Sequence, residues 1–250
     1  MLTKEQPVNR VLGMKASSFS KLFDHSIIRP DATRDDVLKF AETAVRLNTA
    51  TLTVQPYYIR FAADLLNHSN VLLGSVIGFP HGNETPSMKE YQTKFALDLG
   101  AQEIDMVMNI PALKNNDKSV FFADVEGVIT AGEGVKVKVI TENCFLTQEE
   151  KQRACYWISQ AGAHFVKTST AYADGGATLD DVRLMYEAVD GRCQVKAAGG
   201  IRKIEEVLEY LRAGARRFGS TRTDQFMQAF REMPDGKRES FGEFLVDLTI

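Results

Sequence analysis

The chain alternates short apolar segments with segments of helical periodicity, and this alternation constrains its fold more than any other feature. Eight segments with the composition of buried strands are each followed by apolar residues that recur at helical spacing. Strict strand-then-helix order implies a parallel sheet, and eight such units in 250 residues suit a closed barrel. We therefore predict an α/β fold in which residues 1–250 form one domain, a single (β/α)8 TIM barrel.

An open doubly wound sheet is the alternative fold for the same alternation. We rank it lower because no Gly-x-Gly-x-x-Gly motif follows the first predicted strand. The predicted strands are Leu22–Ile28, Ala50–Val54, Val71–Ile77, Glu103–Met108, Val135–Ile140, His164–Lys167, Gln194–Ala197 and Arg217–Gly219.

Capping residues set several of the predicted helix boundaries. Thr147 and Glu150 form a capping-box pattern, and Thr178 is placed to cap the helix that follows the sixth strand. Residues 1–19 are expected to be a lead-in, such as a helix across the barrel floor. Residues 233–250 are expected to be a C-terminal tail that ends in a closing helix or a mobile end.

Charge and composition limit the partners of the chain. The formal net charge is -3, so the surface offers no broad basic face to nucleic acid or to an anionic membrane. No apolar run approaches the roughly 18 residues of a membrane helix, and the N-terminus lacks the apolar core of a signal peptide. The 3 scattered cysteines are typical of reduced thiols. We predict a cytoplasmic protein without nucleic-acid or membrane partners.

Two lysines end apolar runs of similar design. Lys167 closes the sixth predicted strand and Lys196 lies in the seventh, each just before a loop of small residues. Functional side chains of such barrels collect at the C-terminal ends of the strands. By that rule the predicted pocket contains Asp24, Ser26, Thr53, Asp105, Lys138, Lys167 and Lys196.

This set suits Schiff-base chemistry on a carbonyl substrate. A neutral lysine attacks a ketone or aldehyde, and the iminium then accepts electrons from a neighbouring carbon-carbon bond. The charge of a second lysine and desolvation by apolar pocket walls lower the pKa of the first lysine from about 10.4. Asp105 can transfer protons. Asp105 as a purely structural ion-pair partner is an equal alternative. Lys138 can also be a lysine without a functional role, since Lys136 shows that the fifth strand tolerates lysine.

Glycines after the last two strands predict the anion end of the substrate. Gly199-Gly200 follows the seventh strand and Gly219-Ser220-Thr221 the eighth, with Arg202 and Arg222 beside them. Loops at these two places often bind phosphate through backbone N–H groups. The 4 histidines show no metal-ligand spacing. We therefore predict a sugar-phosphate ligand, with no metal and no cofactor.

Several motifs resemble the deoxyribose-phosphate aldolase family of class I aldolases, over residues 22–222 or so. The resemblance implies a (β/α)8 barrel that reversibly cleaves 2-deoxyribose 5-phosphate to glyceraldehyde 3-phosphate and acetaldehyde. The two lysine segments are the most specific of these motifs. The matching segments are Val166–Thr170, Val195–Arg202, Phe23–Ser26, Val76–Pro80, Glu103–Val107 and Lys138–Ile140.

The resemblance also implies roles for particular residues. Lys167 is similar to the Schiff-base lysine, Lys196 to the second lysine that tunes it, and Asp105 to the proton-relay carboxylate. The supporting polar positions and the phosphate end correspond to Asp24, Ser26, Lys138, Gly199, Gly200, Arg202, Gly219 and Thr221.

The sequence departs from the family pattern at the far end of the substrate. Thr170 is followed by Ala171 and Tyr172 where the family has glycine after threonine, and Thr221 is followed by Arg222 where small hydroxyls are usual. Ser26 and Thr53 replace a usual threonine and a common cysteine, and the chain lacks the C-terminal tyrosine of some members. The remaining predicted substrate-binding residues are Thr53, Thr170, Ala171 and Arg222.

Three functions remain open on the sequence alone. The first is the aldolase that the resemblance implies. The second is a paralogous lysine-dependent aldolase or thiolase-like lyase with a different keto or aldehyde substrate, and the third is a sugar-phosphate-binding barrel without catalysis. Because barrel enzymes often pair, a homodimer is a candidate assembly, although nothing in the sequence marks an interface.

Overall fold

Eight parallel strands close into one barrel in chain order, with the last strand paired to the first. The structure is a computed structural model that describes residues 15–242. The closed strand order confirms the predicted TIM barrel and excludes the open sheet. The strands are β1 (Phe23–Ile27), β2 (Thr51–Val54), β3 (Leu72–Ile77), β4 (Glu103–Val107), β5 (Lys136–Ile140), β6 (Phe165–Lys167), β7 (Gln194–Ala198) and β8 (Ala215–Ser220).

Helices follow each strand and enclose the barrel. Within residues 15–242, every helix is too short or too polar to span a bilayer. The helices are α1 (Ala16–Ser20), α2 (Arg34–Leu47), α3 (Ile59–Leu66), α4 (Pro86–Asp98), α5 (Ile110–Lys114), α6 (Lys118–Ala131), α7 (Gln148–Gln160), α8 (Leu179–Val189), α9 (Ile204–Arg212), α10 (Thr223–Glu232) and α11 (Asp235–Gly242).

The predicted helix caps are present. The Thr147 hydroxyl accepts from the Glu150 N–H, and the Glu150 carboxylate accepts from the Thr147 N–H, which completes the capping box of α7. Thr178 caps α8 in the same way through the Asp181 N–H. These side chains satisfy backbone N–H groups that have no partner inside the helix, so the sequence fixes where each helix begins.

The boundaries differ from the prediction in a few places. The helix after β2 begins at Ile59 and not directly after the strand, because Pro56–Tyr58 forms a 3-10 turn first. The short helix α5 was not an element of the prediction. The lead-in is helical at Ala16–Ser20 and the tail at Asp235–Gly242, whereas residues 1–14 and 243–250 lie outside the described residues.

Strand register places four charged residues of the sequence as two pairs on neighbouring strands. Asp105 on β4 is paired with Lys138 on β5, and Lys167 on β6 is paired with Lys196 on β7. Paired residues of neighbouring parallel strands face the same side of the sheet. Each of these side chains therefore points into the barrel, where apolar residues would otherwise fill the space.

Candidate active site

Asp105 is the centre of the polar interior of the barrel. Its Oδ1 accepts from Lys138 Nζ at 2.8 Å, and its Oδ2 accepts from Lys167 Nζ at 2.7 Å and from Lys196 Nζ at 2.6 Å. Because β4 is adjacent to neither β6 nor β7, the contacts to Lys167 and Lys196 cross the barrel interior. The structure thus brings together the three lysines that the sequence singled out.

Asp24 connects this group to a residue that sequence reasoning missed. Its Oδ2 lies 2.5 Å from Lys196 Nζ, and its Oδ1 accepts from a guanidinium nitrogen of Arg217 at 2.9 Å. Glu103 completes the group through a 2.7 Å contact with Lys138 Nζ. Two signals were available in the sequence: Glu103 shares a strand face with Asp105, and Arg217 is a charged residue inside a short strand.

We call these seven residues the buried charge cluster: Asp24, Glu103, Asp105, Lys138, Lys167, Lys196 and Arg217. With every member ionised, four cations face three carboxylates, so the cluster carries one excess positive charge. An uncompensated charge in a protein interior is costly, and the usual response is that one group becomes neutral. The composition of the cluster therefore favours one uncharged lysine, as Schiff-base formation requires.

Two carboxylates of the cluster, Asp105 and Asp24, have lowered pKa values. Burial acts to raise the pKa of Asp105, but the charges on Lys138, Lys167 and Lys196 outweigh burial and hold the pKa well below its ordinary value. Asp24 behaves in the same way, with Lys196, Lys138 and Arg217 opposing burial. Both groups are therefore ionised at neutral pH and serve as fixed negative charges around the lysines.

The lysines of the cluster differ in basicity. Burial lowers the pKa of Lys196 to about 8, the carboxylates of Asp105 and Asp24 oppose it, and the charges on Lys167 and Lys138 add to the lowering. Burial also acts on Lys138, but the three carboxylates around it raise its pKa above the ordinary value. Lys138 is thus a permanent cation, whereas Lys196 can exchange a proton near neutral pH. The prediction that Lys196 lowers the pKa of Lys167 stays a prediction.

A cavity of about 530 Å³ opens above the cluster, a volume that suits a small-molecule ligand. Lys167 both lines this cavity and binds Asp105, and it is 4% exposed. Its amine is thus the point at which the cluster meets the cavity. The predicted residues that line the cavity are Ser26, Lys167, Thr170, Ala171, Gly199, Gly200, Arg202, Gly219, Thr221 and Arg222.

The other predicted site residues lie below or beside this cavity. Asp24, Asp105, Lys138 and Lys196 belong to the buried charge cluster, which reaches the cavity through Lys167. Thr53 is buried as well, with its hydroxyl oxygen 3.0 Å from that of Thr51. Thr53 is paired in register with Ser26, which lines the cavity, but among the described residues no hydrogen bond joins Thr53 to the cluster. Its role in substrate binding stays a prediction.

The far end of the cavity has the features of an anion site. Gly199 and Gly200 have φ of 86° and 80°, left-handed values that favour glycine, and they line the cavity beside Gly219. The N-terminus of α10 lies at the same end, where backbone N–H groups and the helix dipole favour an anion. Arg202 and Arg222 line this end and bring two positive charges.

Two departures from the family pattern fall in the cavity wall. Ala171 has φ of 68°, so the alanine adopts the left-handed conformation that glycine takes more readily. The Tyr172 ring stacks edge-on against Phe79 at 5.3 Å, and its hydroxyl donates to the Ile28 carbonyl at 2.6 Å. The added methyl group is thus accommodated by the loop, and Tyr172 closes the wall between the loops after β1 and β6.

No group of His, Cys, Asp and Glu residues within residues 15–242 is arranged to hold a metal ion. The fold and the site have the features of a lysine-dependent aldolase. A family model described as DeoC/LacD family aldolase matches residues 19–221, and the chain belongs to this family.

Curated relatives and solved structures agree with the family. A deoxyribose-phosphate aldolase from Staphylococcus epidermidis is 42% identical over 216 residues, which cover 86% of this chain and 98% of that protein. One from Thermococcus gammatolerans is 42% identical over 212 residues, covering 83% and 94%. A crystal structure of a putative deoxyribose-phosphate aldolase from Coccidioides immitis superimposes with a TM-score of 0.84 at 33% identity, covering 92% of each chain.

Proposed function

We propose that the protein is a deoxyribose-phosphate aldolase that cleaves 2-deoxyribose 5-phosphate through a Schiff base on Lys167. The observation that carries this proposal is the position of Lys167, whose amine faces the cavity and binds the cluster carboxylate Asp105. A nucleophile must reach the substrate as well as lose its proton, and geometry takes precedence over basicity. Lys196 has the lowered pKa, but it is fully buried beneath the cavity floor.

The chemistry follows from an amine in this position. Neutral Lys167 attacks the C1 aldehyde of the open-chain sugar, and loss of water gives an iminium ion. A base removes the proton of the C3 hydroxyl, the C2–C3 bond breaks, and its electron pair enters the iminium to form an enamine. Glyceraldehyde 3-phosphate leaves from the C3 side. Protonation of C2 and hydrolysis then release acetaldehyde and restore the amine.

Asp105 and Lys196 are placed to move the protons of this sequence. Lys196 and Lys167 donate to the same Asp105 oxygen, so a proton has a short path between the two amines. A group with a pKa of about 8 can both give and accept a proton near neutral pH. Lys138, with its raised pKa, keeps Asp105 ionised and oriented without taking part in the transfer.

The phosphate of the substrate is proposed to lie at the glycine end of the cavity. Backbone N–H groups after β7 and β8, the N-terminus of α10 and the guanidinium of Arg202 would hold it. A different substrate, as in a paralogous enzyme, is the second candidate. Ala171 and Arg222 depart from the family pattern at the phosphate end of the cavity, whereas the lysines do not. A homodimer and a cytoplasmic location remain predictions.

Borohydride trapping tests the proposal. The protein is incubated with acetaldehyde, reduced with borohydride and digested, and the modified peptide is identified by mass spectrometry. A reduced adduct on Lys167 is expected, and its absence would favour a barrel that binds sugar phosphates without catalysis. Cleavage rates of 2-deoxyribose 5-phosphate and of unphosphorylated 2-deoxyribose then separate the aldolase from a paralogue, since the former is expected to prefer the phosphate strongly.

A further inference from the structure

The loop that follows Lys167 is held by a carboxylate that sequence reasoning did not identify. Both carboxylate oxygens of Glu142 lie 3.2 Å from the Thr170 backbone nitrogen, and the Thr170 hydroxyl donates to Oε2 of Glu142. The same hydroxyl oxygen accepts from the Tyr172 N–H at 3.1 Å. The conformation of residues 170–172 therefore depends on contacts that begin at Glu142, in the loop after β5.

Glu142 occupies its position at an energetic cost. Its side chain is buried, and no ion pair compensates its charge within the part of the chain that the structure describes. Its backbone has φ of 51°, a left-handed conformation that a residue other than glycine adopts only with strain. A buried carboxylate without a cation and a strained backbone both oppose folding. Such costs at one residue next to a binding cavity are typical of a functional requirement.

The contacts from Glu142 reach the wall of the cavity although Glu142 does not line it. Thr170 and Tyr172 both face the cavity. The Tyr172 hydroxyl donates to the Ile28 carbonyl, which joins the loops after β5, β6 and β1 into one hydrogen-bonded chain. The Lys167 amine binds Asp105, and the Lys167 carbonyl accepts from Thr141, so neither contact is made by the Glu142 side chain. A change at Glu142 is therefore expected to move the wall without moving the amine.

We propose that Glu142 is a positioning residue that holds the Thr170–Tyr172 segment against the substrate and so sets affinity for the phosphorylated sugar. The inference rests on the proposed aldolase function and deepens it. Its physical basis is that a charged acceptor holds a hydroxyl and a backbone N–H more firmly than a neutral one does. The residue acts through Thr170 and does not touch the substrate.

The test compares KM, kcat and adduct formation in a series of variants. Glu142→Ala is expected to raise KM for 2-deoxyribose 5-phosphate about tenfold, the loss expected of a charge-assisted hydrogen bond, while kcat changes less than about threefold. Glu142→Gln keeps one acceptor and is expected to fall between Glu142→Ala and the unchanged protein. Borohydride trapping with acetaldehyde alone, which does not fill the phosphate end, is expected to stay at the level of the unchanged protein.

Two variants of Thr170 test the inference if Glu142→Ala does not fold. Thr170→Val removes the hydroxyl at nearly constant shape and is expected to raise KM. Thr170→Ser keeps the hydroxyl, and its KM is expected to equal that of the unchanged protein. Asp174→Asn is the matched control, because Asp174 is an exposed carboxylate in the same loop. Its KM is expected to stay unchanged.

Several results would overturn the inference. An unchanged KM in Glu142→Ala, or in Thr170→Val if the alanine variant does not fold, would show that the segment is positioned without Glu142. An equal loss of kcat and of acetaldehyde trapping would place Glu142 in the chemistry of the amine. Failure of the unchanged protein to form any adduct is a different result, because it would reject the proposed function itself.

Discussion

Lys167 and Lys196 donate hydrogen bonds to one and the same oxygen, Oδ2 of Asp105, at 2.7 Å and 2.6 Å. Two ammonium groups around one oxygen repel each other, and Asp105 can compensate only part of their charge because it also binds Lys138. The protonation states of the two lysines are therefore coupled, because the site favours a charge on one of them more than charges on both. This coupling is the physical source of the first two predictions.

Replacement of Lys167 by leucine is expected to abolish cleavage and adduct formation while the fold survives. The proposed nucleophile is lost, so activity should fall by roughly three orders of magnitude or more. The fold should survive because the cluster then has three cations for its three carboxylates. Activity, borohydride trapping and thermal unfolding measure these effects, with the exposed Lys94→Leu as a control. A fully active Lys167→Leu protein would refute the assignment of the nucleophile.

Replacement of Lys196 by leucine is expected to move the pH optimum upward. Without Lys196, charge balance in the cluster is reached when Lys167 holds its proton, so the pKa of Lys167 should rise. The amine is then neutral, and reactive, only at higher pH. The pH profile of kcat/KM for the variant and the unchanged protein is the measurement. A drop in activity with an unchanged profile would mean that Lys196 acts in some other way.

The sequence predicted the barrel and most of the cavity, but less of the buried cluster. Lys167, Asp105 and the glycines after β7 and β8 follow from strand ends and turn residues, which are local signals. Arg217 and Glu103 were missed because their partners lie on other strands, and contacts across a barrel have no sequence signature. Glu142 was missed because its left-handed backbone has no glycine to mark it. Thr53 lies at a strand end, yet its hydroxyl contacts Thr51.

Stability is expected to fall in acid as the cluster carboxylates take up protons. The pKa values of Asp24 and Asp105 are lower in the folded protein than the ordinary 3.8, so their ionised forms stabilise the fold. That stabilisation is fully present above about pH 4–5 and is lost as the pH falls toward the folded-state pKa values. The free energy of unfolding, measured by urea denaturation between pH 3 and 7 or so, should therefore decrease on the acid side.

Replacement of Asp24 by asparagine tests the same linkage. Arg217 and Lys196 would lose a charged partner, so the free energy of unfolding at pH 7 should drop by about 3–5 kcal/mol. The acid dependence should also become shallower, because one of the two carboxylates no longer titrates. The exposed Asp174→Asn protein should keep the original stability and slope. An Asp24→Asn protein with the original acid slope would contradict the assigned pKa shift.

Replacement of Arg222 by alanine is expected to weaken the preference for a phosphorylated substrate. Arg222 lines the cavity at the N-terminus of α10, and a charge-assisted contact to phosphate contributes about 1.5–3 kcal/mol. KM for 2-deoxyribose 5-phosphate should therefore rise by about 10- to 100-fold, with little change for unphosphorylated 2-deoxyribose. Arg183, an exposed arginine on α8 paired with Asp180, is the control for general loss of positive charge. Equal effects on both sugars would instead show that Arg222 acts through the shape of the cavity. If the unchanged protein cleaved a carboxylate or keto analogue faster than 2-deoxyribose 5-phosphate, the paralogous substrate would be favoured.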